Sequence, residues 1–175
     1  MRELRLLCDK YNAMLITDEV QCGLGRTGKL FAHELYDVTP DIMTLAKPLA
    51  GGLPIGAVLM SNKVASAITP GQHGTTFGGN PLVCAVAQTV LAKIMDDKFL
   101  ANVQKRGRYL ANGLEKLQQK YPRKIADVPY ALSKQVLIVS AGEHTIRLCP
   151  PLVVDEKDID QLLQVFDQAF QQDIV

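Results

Sequence analysis

Apolar positions change rhythm a little past the middle of the chain, and the change predicts two kinds of structure. Near the start, Leu4, Leu7, Cys8 and Tyr11 recur at the spacing of one helical face. The apolar stretch Ala13-Met-Leu-Ile-Thr17 follows at once, and two more come later, Ile42-Met-Thr-Leu45 and Ile55-Gly-Ala-Val-Leu-Met60. Short apolar runs without polar alternation are typical of strands covered on both faces, so all three predict buried strands of an α/β sheet. Glycine-rich connections, Gly23 to Gly28 and Gly51-Gly52, lie between them, and a long loop is expected over residues 69–79. Asn80 offers a capping side chain and Pro81 a preset φ, which together predict a helix start. The helix expected over residues 82–95 is apolar on almost every face and should be buried.

Past Asp96-Asp97 the pattern becomes amphipathic. Phe99, Val103, Leu110, Leu114, Leu117 and Tyr121 predict one long helix, which Pro122 ends. Gln135-Val-Leu-Ile-Val139 and His144-Thr-Ile-Arg-Leu148 flank Ser-Ala-Gly-Glu, the pattern of an antiparallel hairpin with Gly142 in its turn. Asp155 with Asp158 predicts the cap of a last helix, whose buried stripe is Ile159, Leu162, Leu163, Phe166 and Phe170. Helix, hairpin and helix suit a small α+β domain. The expected division is therefore an α/β part at residues 1–95 and an α+β part at 96–175.

Composition narrows the function classes. Of 175 residues, 47% are hydrophobic and 21% charged, which excludes a disordered tail. Lys plus Arg number 19 against 18 Asp plus Glu, so the clustered positive excess of a nucleic-acid binder is missing. No apolar run approaches the ~20 residues that span a bilayer, so a membrane is not an expected partner. Met1-Arg-Glu-Leu4 carries no signal-like apolar region. The four cysteines lack CxxC spacing and read as reduced thiols of an intracellular protein.

Candidate chemistry gathers at strand ends. Asp18 closes the first apolar run, and in an open α/β sheet ligands bind at the carboxyl ends of strands. Lys47 follows the second run and precedes the Gly51-Gly52 turn. In apolar surroundings a lysine loses hydration of its ammonium form, which frees a neutral amine to attack a carbonyl. A lysine and an aspartate on neighbouring strand ends are more specific than either alone. Gly23-Leu-Gly25-Arg-Thr-Gly28 matches the GxGxxG fingerprint of dinucleotide sites. However, five residues separate it from Thr17, and two of them, Asp18 and Glu19, would repel a pyrophosphate. Arg147 lies in an expected buried strand, where a charge needs an internal carboxylate or an anionic substrate.

Four motifs in order resemble the class III pyridoxal-phosphate aminotransferases. They are Asp18-Glu-Val-Gln-Cys-Gly-Leu-Gly-Arg-Thr-Gly28, Pro40-Asp-Ile-Met-Thr-Leu-Ala-Lys47, His73-Gly-Thr-Thr-Phe-Gly-Gly-Asn-Pro81 and Ile146-Arg-Leu-Cys-Pro-Pro-Leu152. The resemblance implies part of the large cofactor-binding domain of a fold-type I aminotransferase, followed by a shortened C-terminal small domain. It implies pyridoxal 5′-phosphate as cofactor, with Lys47 joined to the cofactor's aldehyde and Asp18 partnering the pyridine nitrogen. Glu19, Val20 and Gln21 would line the ring, Gln21 bonding its hydroxyl. Thr76 would donate to the cofactor phosphate of the other subunit of a homodimer. Thr75 and Arg147 would lie near the substrate. The partners implied are a small amino donor and a 2-oxo acid. Within the class, Leu-Cys-Asp-Lys-Tyr-Asn-Ala and Asp-Glu-Val-Gln-Cys-Gly favour members acting on acetylated ornithine over ornithine or 4-aminobutyrate. The resemblance favours the mitochondrial matrix over the cytoplasm.

The sequence also departs from that family. The opening of the large domain is absent, with its phosphate loop, its ring-stacking aromatic and an arginine for substrate carboxylate. After Ile125-Ala-Asp-Val128, where the family continues with Arg-Gly-x-Gly-Leu, this chain runs into Pro129-Tyr-Ala-Leu-Ser. Two other classes remain: a nicotinamide oxidoreductase built on Gly23 to Gly28, and a non-catalytic fragment that binds another subunit.

Overall fold

Three short strands organise the N-terminal part of the computed structural model, which describes residues 1–76, 78–122, 139–140 and 146–172. Those residues group into two units, Met1–Val103 and Gln104–Val175. In the first, helix α1 (Arg2–Lys10) is followed by β1 (Ile16–Asp18), β2 (Ile42–Leu45) and β3 (Ala57–Met60), in sheet order β1-β2-β3. β1 and β2 are parallel, with Asp18 opposite Thr44, while β3 runs antiparallel to β2.

One aspartate ties this part together. The Asp41 carboxylate accepts from Arg5 Nη1 of α1 at 2.7 Å and from the Leu15 N–H at 2.8 Å. Its carbonyl accepts from the Ser61 N–H, just past β3, at 2.8 Å. Because the Leu15 N–H goes to a side chain, regular β1 pairing starts at Ile16, later than the run at 13–17 predicts. Asn12, with φ of 49°, makes the left-handed turn out of α1 that asparagine tolerates better than most residues.

The sheet has one covered face. Met43 and Leu45 are buried on it, against Leu24, Leu49, Ala50, Ala87 and Ile94. On the other face Asp18 is exposed, Ile16 is 59% exposed and Thr44 is half-buried. The expectation of three strands buried on both sides is thus corrected for β1, none of whose residues is buried, and for β3, whose Val58, Leu59 and Met60 are exposed. A four-residue helix α2 (Asn62–Ala65) follows, capped by the Ser61 side chain.

Helix α3 (Pro81–Ile94) begins where the sequence predicts, with Asn80 Oδ1 accepting from the N–H groups of Leu82 and Val83. Its expected burial is corrected. Among its residues only Ala87 and Ile94 are buried, and Leu82 is 70% exposed, because a single face of α3 meets the core.

Helix α4 (Asp97–Lys120) opens in the first unit, where Phe99 and Leu100 join the core, and runs on into the second. There Leu114 and Leu117 pack on Val165, Phe166 and Ala169 of helix α5 (Glu156–Gln171). Gly113 lets the two helices approach, since a Cβ there would collide with the Leu163 side chain. Asp155 and Asp158 form the expected reciprocal cap of α5, bonding each other's backbone N–H at 2.9 and 3.3 Å. Of the expected hairpin, two short antiparallel strands are described, β4 (Val139–Ser140) and β5 (Ile146–Arg147), with Val139 opposite Arg147. Residues 135–138 and 141–145 lie outside the described residues.

Candidate active site

Parallel pairing sends β1 and β2 out of the sheet at the same edge, so the residues that follow them become neighbours. Asp18 is the last residue of β1. Its Oδ1 accepts from the Val20 N–H at 3.0 Å and from the Thr44 hydroxyl at 3.0 Å. These two donors, the N–H first, hold the Asp18 carboxyl below its ordinary value of 3.8, with the positive charge of Lys47 adding to them. An ionised carboxylate at a strand end is the result.

Lys47 lies two residues beyond β2 and opens a one-turn 3-10 segment, Lys47–Ala50, with a positive φ of 20°. Its Nζ donates to Gln21 Oε1 at 3.1 Å. The apolar surroundings expected of this lysine are not there: Lys47 is exposed among the described residues, because the site face of the sheet is the open one. The structure therefore brings Asp18, Gln21 and Lys47 together, an acid, an amide and an amine, with Thr44 beneath the acid.

Glu19 turns the other way. It is 2% exposed, and its carboxylate accepts from the N–H of Ala32 at 2.6 Å and of His33 at 2.9 Å. The His33 ring nitrogen Nδ1 lies 2.8 Å from the same carboxylate. Val20, half-buried, contributes its N–H to Asp18. Cys22 donates from Sγ to the Asp18 carbonyl at 3.5 Å, and burial, then the charge of Glu19, push its thiol above the ordinary value. That makes it a poor nucleophile.

The glycine run does not do what a dinucleotide fingerprint requires. Gly23 packs against Glu19, where a Cβ would stand 2.8 Å from the Glu19 carbonyl oxygen. Gly25 and Gly28 take positive φ values of 87° and 79° within turns, and a 3-10 segment (Ala32–Tyr36) follows instead of an α-helix. Among the described residues no helix N-terminus stands behind the first glycine to receive a pyrophosphate, which argues against a nicotinamide site here.

Thr75 and Thr76 lie exposed in the expected long loop. Thr75 lines a cleft of about 410 Å³ with Pro54, Ile55, His73, Asn80 and Val83, which neither Asp18, Gln21 nor Lys47 lines. Arg147, in the second unit, is exposed, which corrects the expectation of a charge within a buried strand.

Sequence reasoning missed two residues, Thr44 and the anchoring side of Glu19. Strand alternation carries a signal for the second: with Asp18 on one face, the next side chain points to the other. Thr44 becomes visible only once the β1–β2 register is known.

This chain belongs to the class III aminotransferases, whose family pattern, Aminotransferase class-III, matches residues 1–131. The probable mitochondrial acetylornithine aminotransferase of Dictyostelium discoideum is 50% identical to it over 188 aligned positions, covering 94% of this chain and 42% of that protein. The acetylornithine aminotransferase of Clostridium acetobutylicum is 42% identical, covering 97% and 49%. Among solved structures, the acetylornithine aminotransferase of Elizabethkingia anophelis superposes with a TM-score of 0.89 at 34% identity, covering 98% of this chain and 49% of that one. An ornithine aminotransferase of Plasmodium yoelii gives 0.88 at 29% identity, covering 98% and 51%. The fold is thus part of a fold-type I aminotransferase, and the chain spans about half the length of these relatives.

Proposed function

We propose that this chain supplies the lysine and carboxylate of a pyridoxal 5′-phosphate site, and that the reaction is amino transfer from N-acetylornithine to 2-oxoglutarate. The observation that carries the reading is the convergence of Asp18, Gln21 and Lys47 beyond the carboxyl ends of β1 and β2. Their chemistry fits the cofactor. An exposed primary amine is accessible to an aldehyde, a carboxylate kept ionised suits a protonated ring nitrogen, and an amide can bond a ring hydroxyl. When bound, the cofactor supplies an electron sink for the charge left on the substrate carbon. With the cofactor held, the Lys47 amine would serve as the base that takes the proton from the substrate carbon and then as the acid that gives it back. Asp18 holds the positive charge at the ring nitrogen through the reaction, and Gln21 orients the ring.

The remaining assignments rest on the family motifs. Glu19 and Val20 shape the segment beside the ring, the first through its buried carboxylate and the second through its N–H. Thr76 donates to the cofactor phosphate across a homodimer interface, with Thr75 near the substrate and Arg147 at its entrance. Residues 1–95 belong to the large cofactor-binding domain and 96–175 to the small one. The names of the relatives favour acetylornithine, hence arginine biosynthesis. Two of them, from Dictyostelium discoideum and Alnus glutinosa, are named mitochondrial, which supports the matrix as compartment.

The test gives the 175-residue protein pyridoxal phosphate and one amino donor, then measures pyridoxamine phosphate by mass spectrometry. Conversion with N-acetylornithine should exceed that with ornithine or 4-aminobutyrate and vanish in Lys47→Ala. No conversion by protein that holds the cofactor on Lys47 would overturn the reading.

A further inference from the structure

Among the described residues, both hydrogen bonds that the Asp18 carboxylate accepts land on one of its two oxygens. The Val20 N–H and the Thr44 hydroxyl each donate to Oδ1 at 3.0 Å, and among the described residues neither reaches Oδ2. An ionised carboxylate has about four acceptor sites on its two oxygens. Two donors converging on one oxygen fix the carboxylate's orientation and leave the other oxygen to a partner from outside.

Thr44 is well built for that task. The parallel register sets it directly beside Asp18, on the sheet face opposite to buried Met43 and Leu45. Its carbonyl accepts from the Glu19 N–H at 3.0 Å, so the ladder fixes its backbone on the far side of Asp18 as well. Its β-branched side chain has few rotamers to choose from, which keeps the hydroxyl where the backbone puts it.

We propose that Thr44 is a positioning residue, whose hydroxyl turns Asp18 so that Oδ2 is presented to the ring nitrogen of the cofactor. The cofactor half of this rests on the site reading given above. The same hydroxyl is the second cause of the lowered Asp18 pKa, after the Val20 N–H, so it also favours the ionised carboxylate that a protonated ring needs. A threonine that merely filled β2 would do neither.

Thr44→Val removes the hydroxyl and keeps the shape, while Thr44→Ser keeps the hydroxyl. In the full chain without cofactor, carboxyl carbon NMR should show the Asp18 titration midpoint shifted upward in Thr44→Val and restored towards wild type in Thr44→Ser. A midpoint unmoved by Thr44→Val, or equally raised in Thr44→Ser, overturns the proposal. If Thr44→Val does not fold, Thr44→Ala takes its place, and failure of both to fold assigns Thr44 a structural role and overturns the proposal too. With pyridoxal phosphate labelled at its ring nitrogen with ¹⁵N, Thr44→Val should shift the resonance towards the unprotonated position while borohydride still fixes the label on Lys47. If wild type itself shows no label on Lys47, the reading of the site falls, whereas an unmoved Asp18 midpoint removes the role of Thr44 alone.

Discussion

At the scale of single residues, two aspartates show how a carboxylate becomes specialised by its donors. Asp18 has two donors on one oxygen and faces the open side of the sheet. Asp41 has Arg5 and the Leu15 N–H on one oxygen and serves as the knot between α1, β1, β2 and β3. The Leu15 N–H, then the Arg5 guanidinium, hold the Asp41 carboxyl below its ordinary value of 3.8. A carboxylate whose folded pKa is depressed contributes stability that is complete above the unfolded value and is lost as pH falls through the folded one. Asp41→Asn should therefore be less stable than wild type at neutral pH, and the gap should close below about pH 4. Urea unfolding of both proteins across that range checks it; a gap that stays constant in acid would contradict the role given to Asp41.

At the scale of elements, the segment after β1 is held from beneath. Buried Glu19 receives two N–H groups at the start of the 3-10 segment Ala32–Tyr36, so the turn carrying Gln21 is anchored at both ends. Replacing Glu19 by Gln sets an amide donor among groups that are themselves donors and leaves at least one part-buried N–H unpaired beside a buried side chain, which costs about 1–3 kcal/mol. The unfolding free energy of Glu19→Gln should fall by that much, with the loss concentrated in faster amide exchange at Ala32 and His33. A variant as stable as wild type would mean that the anchor is dispensable.

Elements also show what was legible beforehand. β2, the Asn80 cap and the Asp155–Asp158 cap were readable because each depends on local chemistry, a short apolar run or a side-chain oxygen at the right offset. Asp18 and Lys47 were readable as strand-end residues, and their meeting with Gln21 followed from parallel pairing. The exposure of β1, β3, α3 and Lys47 was not readable, because burial depends on what covers an element and not on its own apolarity. Arg147 fails for the same reason: a charge within an apolar run looked buried, yet the short β5 leaves it at the surface. Thr44 was hidden behind the register, which no single strand encodes.

At the scale of the whole molecule, the uncovered apolar surface has consequences for these 175 residues taken by themselves. Leu4, Leu6, Leu7 and Tyr11 of the α1 region are exposed, as are Met14 and Ile16 beside β1 and Val58, Leu59 and Met60 of β3. Apolar surface of this extent, with β3 at the edge of its sheet among the described residues, favours association. A protein of this sequence alone should sediment as a concentration-dependent oligomer. Sedimentation as a monomer at every concentration would count against that picture.

The central claim is that Lys47, beside Asp18 and Gln21, is the lysine to which pyridoxal phosphate attaches. Incubation with pyridoxal phosphate, borohydride reduction and peptide mapping tests it most directly. The arrangement at the ends of β1 and β2 predicts a pyridoxyl group on Lys47 and on no other lysine, absent in Lys47→Ala. Label spread over Lys10, Lys29 and Lys93, or label that survives Lys47→Ala, would contradict it.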